Sequence, residues 1–300
     1  DDAPVDHPLF EAAAWDALPD AAREQLRDTA RSQLGTVGSG NHYVDVFADT
    51  EDDHVWVGVH FGSRQLGHAI ASGFMALHQG AIWGTRVPEK QVLLDLDSAL
   101  GQRYWTAMEL AGQYAYAGRE YVARKVTQIL GGRELDRVHN HHNYAWKETH
   151  FGEELVVVRK GATPAFPGQR GFIGGSMGDD AVIVAGYAGT DEADPIRKLQ
   201  EQALFSTVHG AGRVMSRTAA KGTRRGKRRT PGAVTRQMMD AWIERRGVIV
   251  RGGDVDESPH VYRRLHEVLQ DQRGTITVQH TLRPLIVAMA GPDVRDRFKN

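Results

Sequence analysis

Short runs rich in valine, isoleucine and aromatic residues recur along this chain, and most are bounded by glycine turns rather than by crossover helices. YVDVFA (43–48) and HVWVGVHFG (54–62) lie close together, after the turn GTVGSGNH (35–42). ELVVVRKGA (154–162), AVIVAGYA (181–188) and TITVQHTLRPLIVAMAG (275–291) supply further strands, the last segment reading as more than one. Helical spacing predicts helices over 8–34, over most of 68–130 with a break near residues 84–88, and over 194–205, 231–246 and 257–271. Strands and helices do not alternate steadily, which favours an α+β fold over a doubly wound parallel sheet. No repeat of fixed period and no clear linker is visible, so one domain over 1–300 is the expectation.

Composition narrows the function classes. Hydrophobic residues make up 41% and charged residues 25% of the 300, which suits a globular chain and excludes a disordered one. The net charge of −1 makes no general case for a polyanionic partner, so any such case is local. It rests on KGTRRGKRR (221–229), six positive charges in nine residues, whose alternative is a solvated loop. No apolar run reaches the length of a membrane helix, and no secretory signal is visible. With no cysteine, disulfides and thiolate metal sites are excluded within these residues.

Fourteen histidines carry most of the chemical signal. His42 follows GSGN, His60 ends VWVGVH, His139, His141 and His142 share VHNHHNY, and His209 opens HGAGR. Strand ends and loops on a rigid scaffold are where function collects. Imidazoles from separate elements can converge on a divalent metal, with Asp45, Asp95, Asp97 or Glu148 adding oxygen. No short ligand spacing enforces this, and a surface or hydrogen-bonded structural histidine is the alternative in each case. GTVGSG, GATPAFPG, GGSMG and HGAG can form backbone nests for anions, or they can simply be tight turns. Arg64, Lys160, Arg170 and Arg213 stand beside them, and guanidinium suits phosphate.

Together, LGTVGSGNHYVDV (34–46), HFGSRQLGH (60–68), HHNYAWKE (141–148), RKGATPAFPGQRG (159–171), GGSMGDDAVIVAG (174–186), STVHGAGRVMSR (206–217) and DESPHVYRRLHEVL (256–269) resemble the RtcB family of RNA ligases, in family order. The resemblance implies an RtcB-like α+β fold with mixed sheets at the centre and helices around them. It implies a cytoplasmic ligase of tRNA splicing or RNA repair that uses GTP and Mn²⁺. By the same resemblance, such a ligase is expected to join RNA 3′-phosphate or 2′,3′-cyclic phosphate ends to 5′-hydroxyl ends, with archease as a candidate activating partner and no membrane partner. His209 is then the nucleophile that takes GMP, and His42, His60 and His142 are metal ligands. Asn41, Ser176, Met177, Gly210, Ala211, Gly212 and Tyr262 match positions of the nucleotide pocket, and Arg64 and Arg213 match positions near phosphates or the RNA end.

The chain departs from the family pattern in places. The family's upstream Asp/Cys metal motif is not found, so the N-terminal part of the family domain is expected to be absent here. Asp45 stands in place of glutamate, Pro164 in place of arginine, and Ala290 in place of the lysine that meets guanine. Two alternatives therefore stay open: a non-ligating homologue that binds RNA ends or nucleotide, and a metal-dependent phosphoesterase. If 221–229 contacts RNA, neutralising 224–229 should weaken RNA binding and flatten its dependence on salt. An unchanged slope of affinity against salt concentration would remove that role.

Overall fold

A computed structural model describes residues 5–88, 91–189, 191, 193–225 and 228–291, with the side chains of 224–229 outside the description. The chain gathers into two compact units. One comprises residues up to His42 together with Val59–Arg133, and the other Tyr43–Gly58 together with residues from Glu134 onward. Neither is a continuous segment, so no linker composition marks them.

The first unit is helical. Residues 8–34 do not form the single helix their spacing predicts. They make two 3-10 turns, Pro8–Glu11 and Ala13–Ala17, and then α1 (Asp20–Gln33). Pro19 accounts for the division, because a proline holds the preceding residue extended, and Leu18 has φ −82°, ψ 151°. α2 (Arg64–His78) and α3 (Ala99–Ile129) follow, separated by a non-helical stretch wider than the predicted break. Leu66, Ile70 and Phe74 recur at four-residue steps on α2, and Ala107, Leu110, Ala111 and Tyr114 at three- and four-residue steps on α3. Both stripes join Phe10, Trp15 and Leu18 in one core. Gly73 gives the Trp83 ring room on α2, since a Cβ there would lie 2.5 Å from the ring. The Tyr114 hydroxyl, buried in this core, donates to the Ala30 carbonyl at 2.9 Å.

The second unit holds the strands β1 (Tyr43–Asp49), β2 (Val55–His60), β3 (Asn143–His150), β4 (Glu153–Lys160), β5 (Ala162–Pro164), β6 (Arg170–Ile173), β7 (Ala181–Gly186), β8 (Ser206–Val208), β9 (Gly222–Arg225), β10 (Arg228–Pro231), β11 (Ile249–Arg251) and β12 (Ile276–Met289). The end of β2 carries the chain back to the first unit. Helices α4 (Pro195–Gln202), α5 (Arg217–Lys221), α6 (Arg236–Arg246) and α7 (Leu265–Gln270) lie between the later strands. The main sheet is curled and largely antiparallel, in the order β2-β1-β12-β7-β6, with β11 running parallel to β12. The mixture is α+β, as the sequence predicts.

β12 is one strand, although its segment reads as several. Its first half pairs β7 and its second half pairs β1. Pro284, which lacks an N–H, sits opposite Phe47 where the register shifts between Val46 and Phe47. β7 is buried along its whole length and so packs on both faces. Ala181 and Ile183 meet Phe47 and Leu282 on one face. On the other, Val182 and Val184 meet Ile173, Ala211 and Leu265. Residues 257–271 form short 3-10 turns and then α7, rather than one helix. Pro259 opens the second of those turns. β3 carries too many polar residues to read as a strand from sequence. Among the described residues no helix is long and apolar enough to cross a membrane.

Tyr114→Phe should lower stability by about 1 kcal/mol, because the Ala30 carbonyl loses one donor but keeps the Leu34 N–H. Urea denaturation would show this as a lower midpoint with an unchanged slope.

Candidate functional site

β8 pairs with β5 so that Val208 faces Ala162, which brings the next residue, His209, beside Gly161. His209 Nδ1 lies 2.7 Å from the Gly161 carbonyl oxygen. A carbonyl only accepts, so Nδ1 carries the proton and the lone pair belongs to Nε2. The ring is also held from one face, where His142 stacks on it with centroids 4.6 Å apart and planes 14° from parallel. The β3–β4 hairpin supplies both partners. Its register sets Asn143 against Lys160, which places His142 and Gly161 together at its open end. The Gly161 N–H donates to the His142 carbonyl at 2.7 Å. Gly161 has φ +71°, and a Cβ there would lie 3.5 Å from the His209 ring.

The rest of HGAG is fixed through Gly174. Its N–H donates to the His209 carbonyl at 3.3 Å, and its carbonyl accepts from the Ala211 N–H at 3.2 Å. The two glycines of the motif do different work. A Cβ on Gly210 would lie 3.2 Å from the Gly174 oxygen, so Gly210 permits a close backbone approach. Gly212 meets nothing within 4 Å and has φ +76°, a conformation that favours glycine. Ala211 points its methyl into the core, and Met177 is buried with Met239, Val248 and Val287. Any contact these two make with a ligand is therefore through backbone. The Ser176 hydroxyl donates to Asp179 at 2.7 Å, and Asp179 in turn pairs with Arg264 at 2.9 Å. Tyr43 lies beneath this loop, since a Cβ on Gly174 would sit 2.7 Å from its hydroxyl. Burial, and secondarily Asp45, raises the Tyr43 pKa well above its ordinary value. Burial raises the Asp45 carboxyl likewise, and its Oδ1 has no hydrogen-bond partner.

Arg213 packs against the Tyr262 ring, with its guanidinium carbon 5.2 Å from the centroid. It donates to the Met215 carbonyl at 3.2 Å, the Tyr262 hydroxyl at 3.2 Å and Glu257 at 3.4 Å, while its Nη2 is buried without a partner. The Tyr262 hydroxyl also donates to Glu257. Burial, then the Glu257 charge, raises its pKa far above the ordinary value. Arg217 pairs with Asp256 at 2.9 Å and with Glu257, and Lys221 pairs with Asp254 and Asp256 at 2.9 Å each. Arg217 and Lys221 are four apart on α5, so both reach Asp256. Lys221 is thus neutralised locally, which removes one cation from the basic run predicted over 221–229. The side chains of 224–229 lie outside the described residues.

The remaining candidates belong to the first unit. His42 Nδ1 lies 2.8 Å from the Val37 carbonyl, so it too carries its proton on Nδ1 and its lone pair on Nε2. Asn41 is exposed and His60 half-buried. Arg64 opens α2 with φ 54°, unusual for a residue with a side chain. Its guanidinium covers Gly38, where a Cβ would fall 1.7 Å from Nη1. His142, Ser176, Met177, His209, Gly210, Ala211, Gly212, Arg213 and Tyr262 belong to the second unit.

The oxygen donors fare differently. Asp95 caps a turn by accepting from the Asp97 N–H at 2.9 Å. Glu148, far from being available to a metal, is buried against Arg159 in a two-pronged pair of 2.7 and 2.9 Å and accepts from His150 at 2.8 Å. Arg159 also donates to Ser206 Oγ at 2.8 Å and to the Leu204 carbonyl at 2.7 Å, tying β4 to the segment that leads into His209. Arg170 pairs with Asp136 and bonds Gln279. Sequence reasoning missed Glu257 and Asp256, and the one available signal was a run of acids beside the tyrosine of DESPHVY.

Burial works to raise the Glu148 pKa, but hydrogen bonds from Arg159 and His150 outweigh it and hold it below the ordinary value. The pair therefore adds stability above the unfolded pKa, and this is lost as pH falls through the lower folded value. Glu148→Gln should cost about 3–5 kcal/mol at pH 7, because Arg159 stays buried without its partner. The gap to the parent should narrow below about pH 4, where the carboxylate itself is lost. Urea unfolding of both proteins at the two pH values checks this.

A family model described as tRNA-splicing ligase RtcB matches residues 6–290. The chain is 33% identical over 268 residues to the RNA-splicing ligase RtcB of Escherichia coli K12, covering 84% of this chain and 60% of that protein. It is 32% identical over 326 residues to the tRNA-splicing ligase RtcB of Archaeoglobus fulgidus, covering 93% of this chain and 64% of the relative. The corresponding figures for the RNA-splicing ligase RtcB of Mycobacterium bovis are 32% over 294 residues, 84% and 63%. The chain thus spans less than two thirds of the length of each of these relatives.

Proposed function

The chain belongs to the RtcB family of tRNA-splicing ligases, and from this premise we propose that it joins RNA ends through a nucleotide carried on His209. The observation that carries the reading is the fixed tautomer of that ring, with its proton on Nδ1 against Gly161 and its lone pair on Nε2. Covalent catalysis needs a nucleophile of this kind.

In the proposed sequence, Nε2 attacks the α-phosphorus of GTP, and the bond to pyrophosphate breaks. The RNA 3′-phosphate then takes GMP from His209, which regains its lone pair. The 5′-hydroxyl attacks the activated phosphate, GMP leaves, and a phosphodiester remains. A 2′,3′-cyclic phosphate must first be opened by water. The backbone of HGAG and GGSMG supplies donors for phosphate oxygens, with Arg213 beside it adding positive charge. Arg64 and Asn41 are assigned to the phosphates and the nucleotide.

His42, His60 and His142 would hold Mn²⁺. Imidazole nitrogen suits this ion, and the tautomer of His42 is the ligand form. When bound, the ion offsets the negative charge of the triphosphate. Guanine recognition through a lysine does not carry over to Ala290, so base preference must arise elsewhere in the pocket.

Incubation with α-labelled GTP and Mn²⁺ tests the reading. Label should stay on the protein, and His209→Ala should retain none while keeping its circular dichroism spectrum. His142→Phe preserves a stacking ring but removes the ligand nitrogen, and should lose labelling at limiting Mn²⁺. Nucleotide binding without label in the parent protein would point to the non-ligating alternative.

A further inference from the structure

The turn between β1 and β2 reads DTEDDH (49–54), and its acids are not all spent on solvation. The Asp49 side chain is fully buried. Its carboxylate accepts from the Trp56 indole at 2.8 Å and from the Glu51 N–H at 3.0 Å, yet no lysine or arginine pairs with it among the described residues. A buried carboxylate with no cation is costly. The group facing it is His280, which β12 presents at the register shift between Val278 and His280.

The contact between these two is peculiar. His280 Nδ1 lies 2.8 Å from Asp49 Oδ2, but this nitrogen is buried and makes no hydrogen bond, so the oxygen does not lie where a ring N–H would point. A third donor completes the group, since ligand atoms of Asp49, Asp52 and His280 all lie within 4.8 Å of one another. Asp52 is held in place by its own neighbour: its Oδ2 lies 2.7 Å from His54 Nδ1, and its Oδ1 accepts from the His54 N–H at 2.8 Å. The side-chain contact, above all, lowers the Asp52 pKa and raises that of His54. The backbone is fixed as well, by Thr50 N–H donating to the Thr281 carbonyl at 2.9 Å.

We propose that Asp49, Asp52 and His280 form a binding site for a divalent transition-metal cation, which clamps the β1–β2 turn to β12. Two carboxylates and one neutral imidazole carry two negative charges, which such a cation balances. Nitrogen and carboxylate oxygen at about 2.0–2.2 Å, with water completing the shell, is a zinc-type arrangement. Ligand atoms of one tetrahedral shell are then about 3.3 Å apart, a spacing this group can adopt by small side-chain movements. His54 holds Asp52 through hydrogen bonds, and ligating carboxylates are commonly fixed by such outer partners. All four residues belong to the second unit, and none of them is among the residues assigned to ligation.

Zn²⁺ alone is the probe. In equilibrium dialysis of the whole chain, with bound metal counted by elemental analysis, the parent should retain one equivalent more than His280→Gln or Asp52→Asn. Asp52 is partly exposed, so its variant keeps the fold even if a change at Asp49 does not. His142→Ala should keep this equivalent, which separates the site from the ligase reading above. The indole N–H NMR signal of Trp56, assigned with Trp56→Phe, should shift on Zn²⁺ addition in the parent but not in Asp52→Asn. Equal stoichiometry in parent and variants, or an unmoved Trp56 signal, would reduce the group to an ordinary Asp–His pair and overturn the proposal.

Discussion

One acceptor, the Gly161 carbonyl, decides which nitrogen of His209 is available for chemistry. Much of the second unit serves to keep that oxygen where it is. Gly161 adopts a positive φ at the end of β4, and its N–H is bound to the His142 carbonyl. The hairpin register brings the two together, and β5–β8 pairing delivers His209 from the other side. Arg159 links these two deliveries. It is held by Glu148 and reaches across to Ser206 and Leu204, so one buried guanidinium ties the hairpin to the strand that ends at His209. Buried ion pairs are poor sources of net stability but strict about geometry. Here the geometry they enforce is that of the segment leading into His209.

The positive charge near the site is more restrained than the sequence suggests. Arg213, Arg217 and Lys221 each meet a carboxylate of Asp254, Asp256 or Glu257. For Asp256, burial alone would raise the pKa, but hydrogen bonds from Lys221 and Arg217 prevail and lower it. These cations are therefore set in a framework rather than offered to any polyanion. A guanidinium already fixed by Glu257 and stacked on Tyr262 loses little freedom when a ligand arrives.

The motifs that carry the family resemblance were the most legible part of the sequence. HGAGR announces an accessible histidine by its glycines, although only Gly212 stands in open space while Gly210 answers to the backbone of Gly174. The fold class was readable because strands such as β1, β2 and β7 are apolar and glycine-bounded. β3 was not, because its buried face carries His150 and Glu148, and the Arg159 that pairs with Glu148 lies on another strand. The helix predicted over 8–34 failed at Pro19, a local signal that was present and outweighed by periodicity. The two units were invisible because the chain crosses between them more than once, leaving no change in composition to mark a boundary. The Asp49, Asp52 and His280 group unites residues more than 200 positions apart, which only the β1–β12 pairing brings together.

The stack of His142 on His209 carries a consequence for charge. Any electrophile taken up at Nε2 while Nδ1 keeps its proton leaves the His209 ring cationic. The Gly161 carbonyl, 2.7 Å away, is oriented to stabilise that charge. A second cationic ring at a centroid distance of 4.6 Å would oppose it. At an effective dielectric of about 20, two such charges repel by roughly 3–4 kcal/mol, a penalty of two to three powers of ten in the equilibrium for loading the ring. The proposed loading of His209 therefore requires a neutral His142. A neutral imidazole is also the only form that can offer a lone pair to a metal ion. The stacking geometry and the proposed role of His142 as a ligand thus make the same demand on its protonation state.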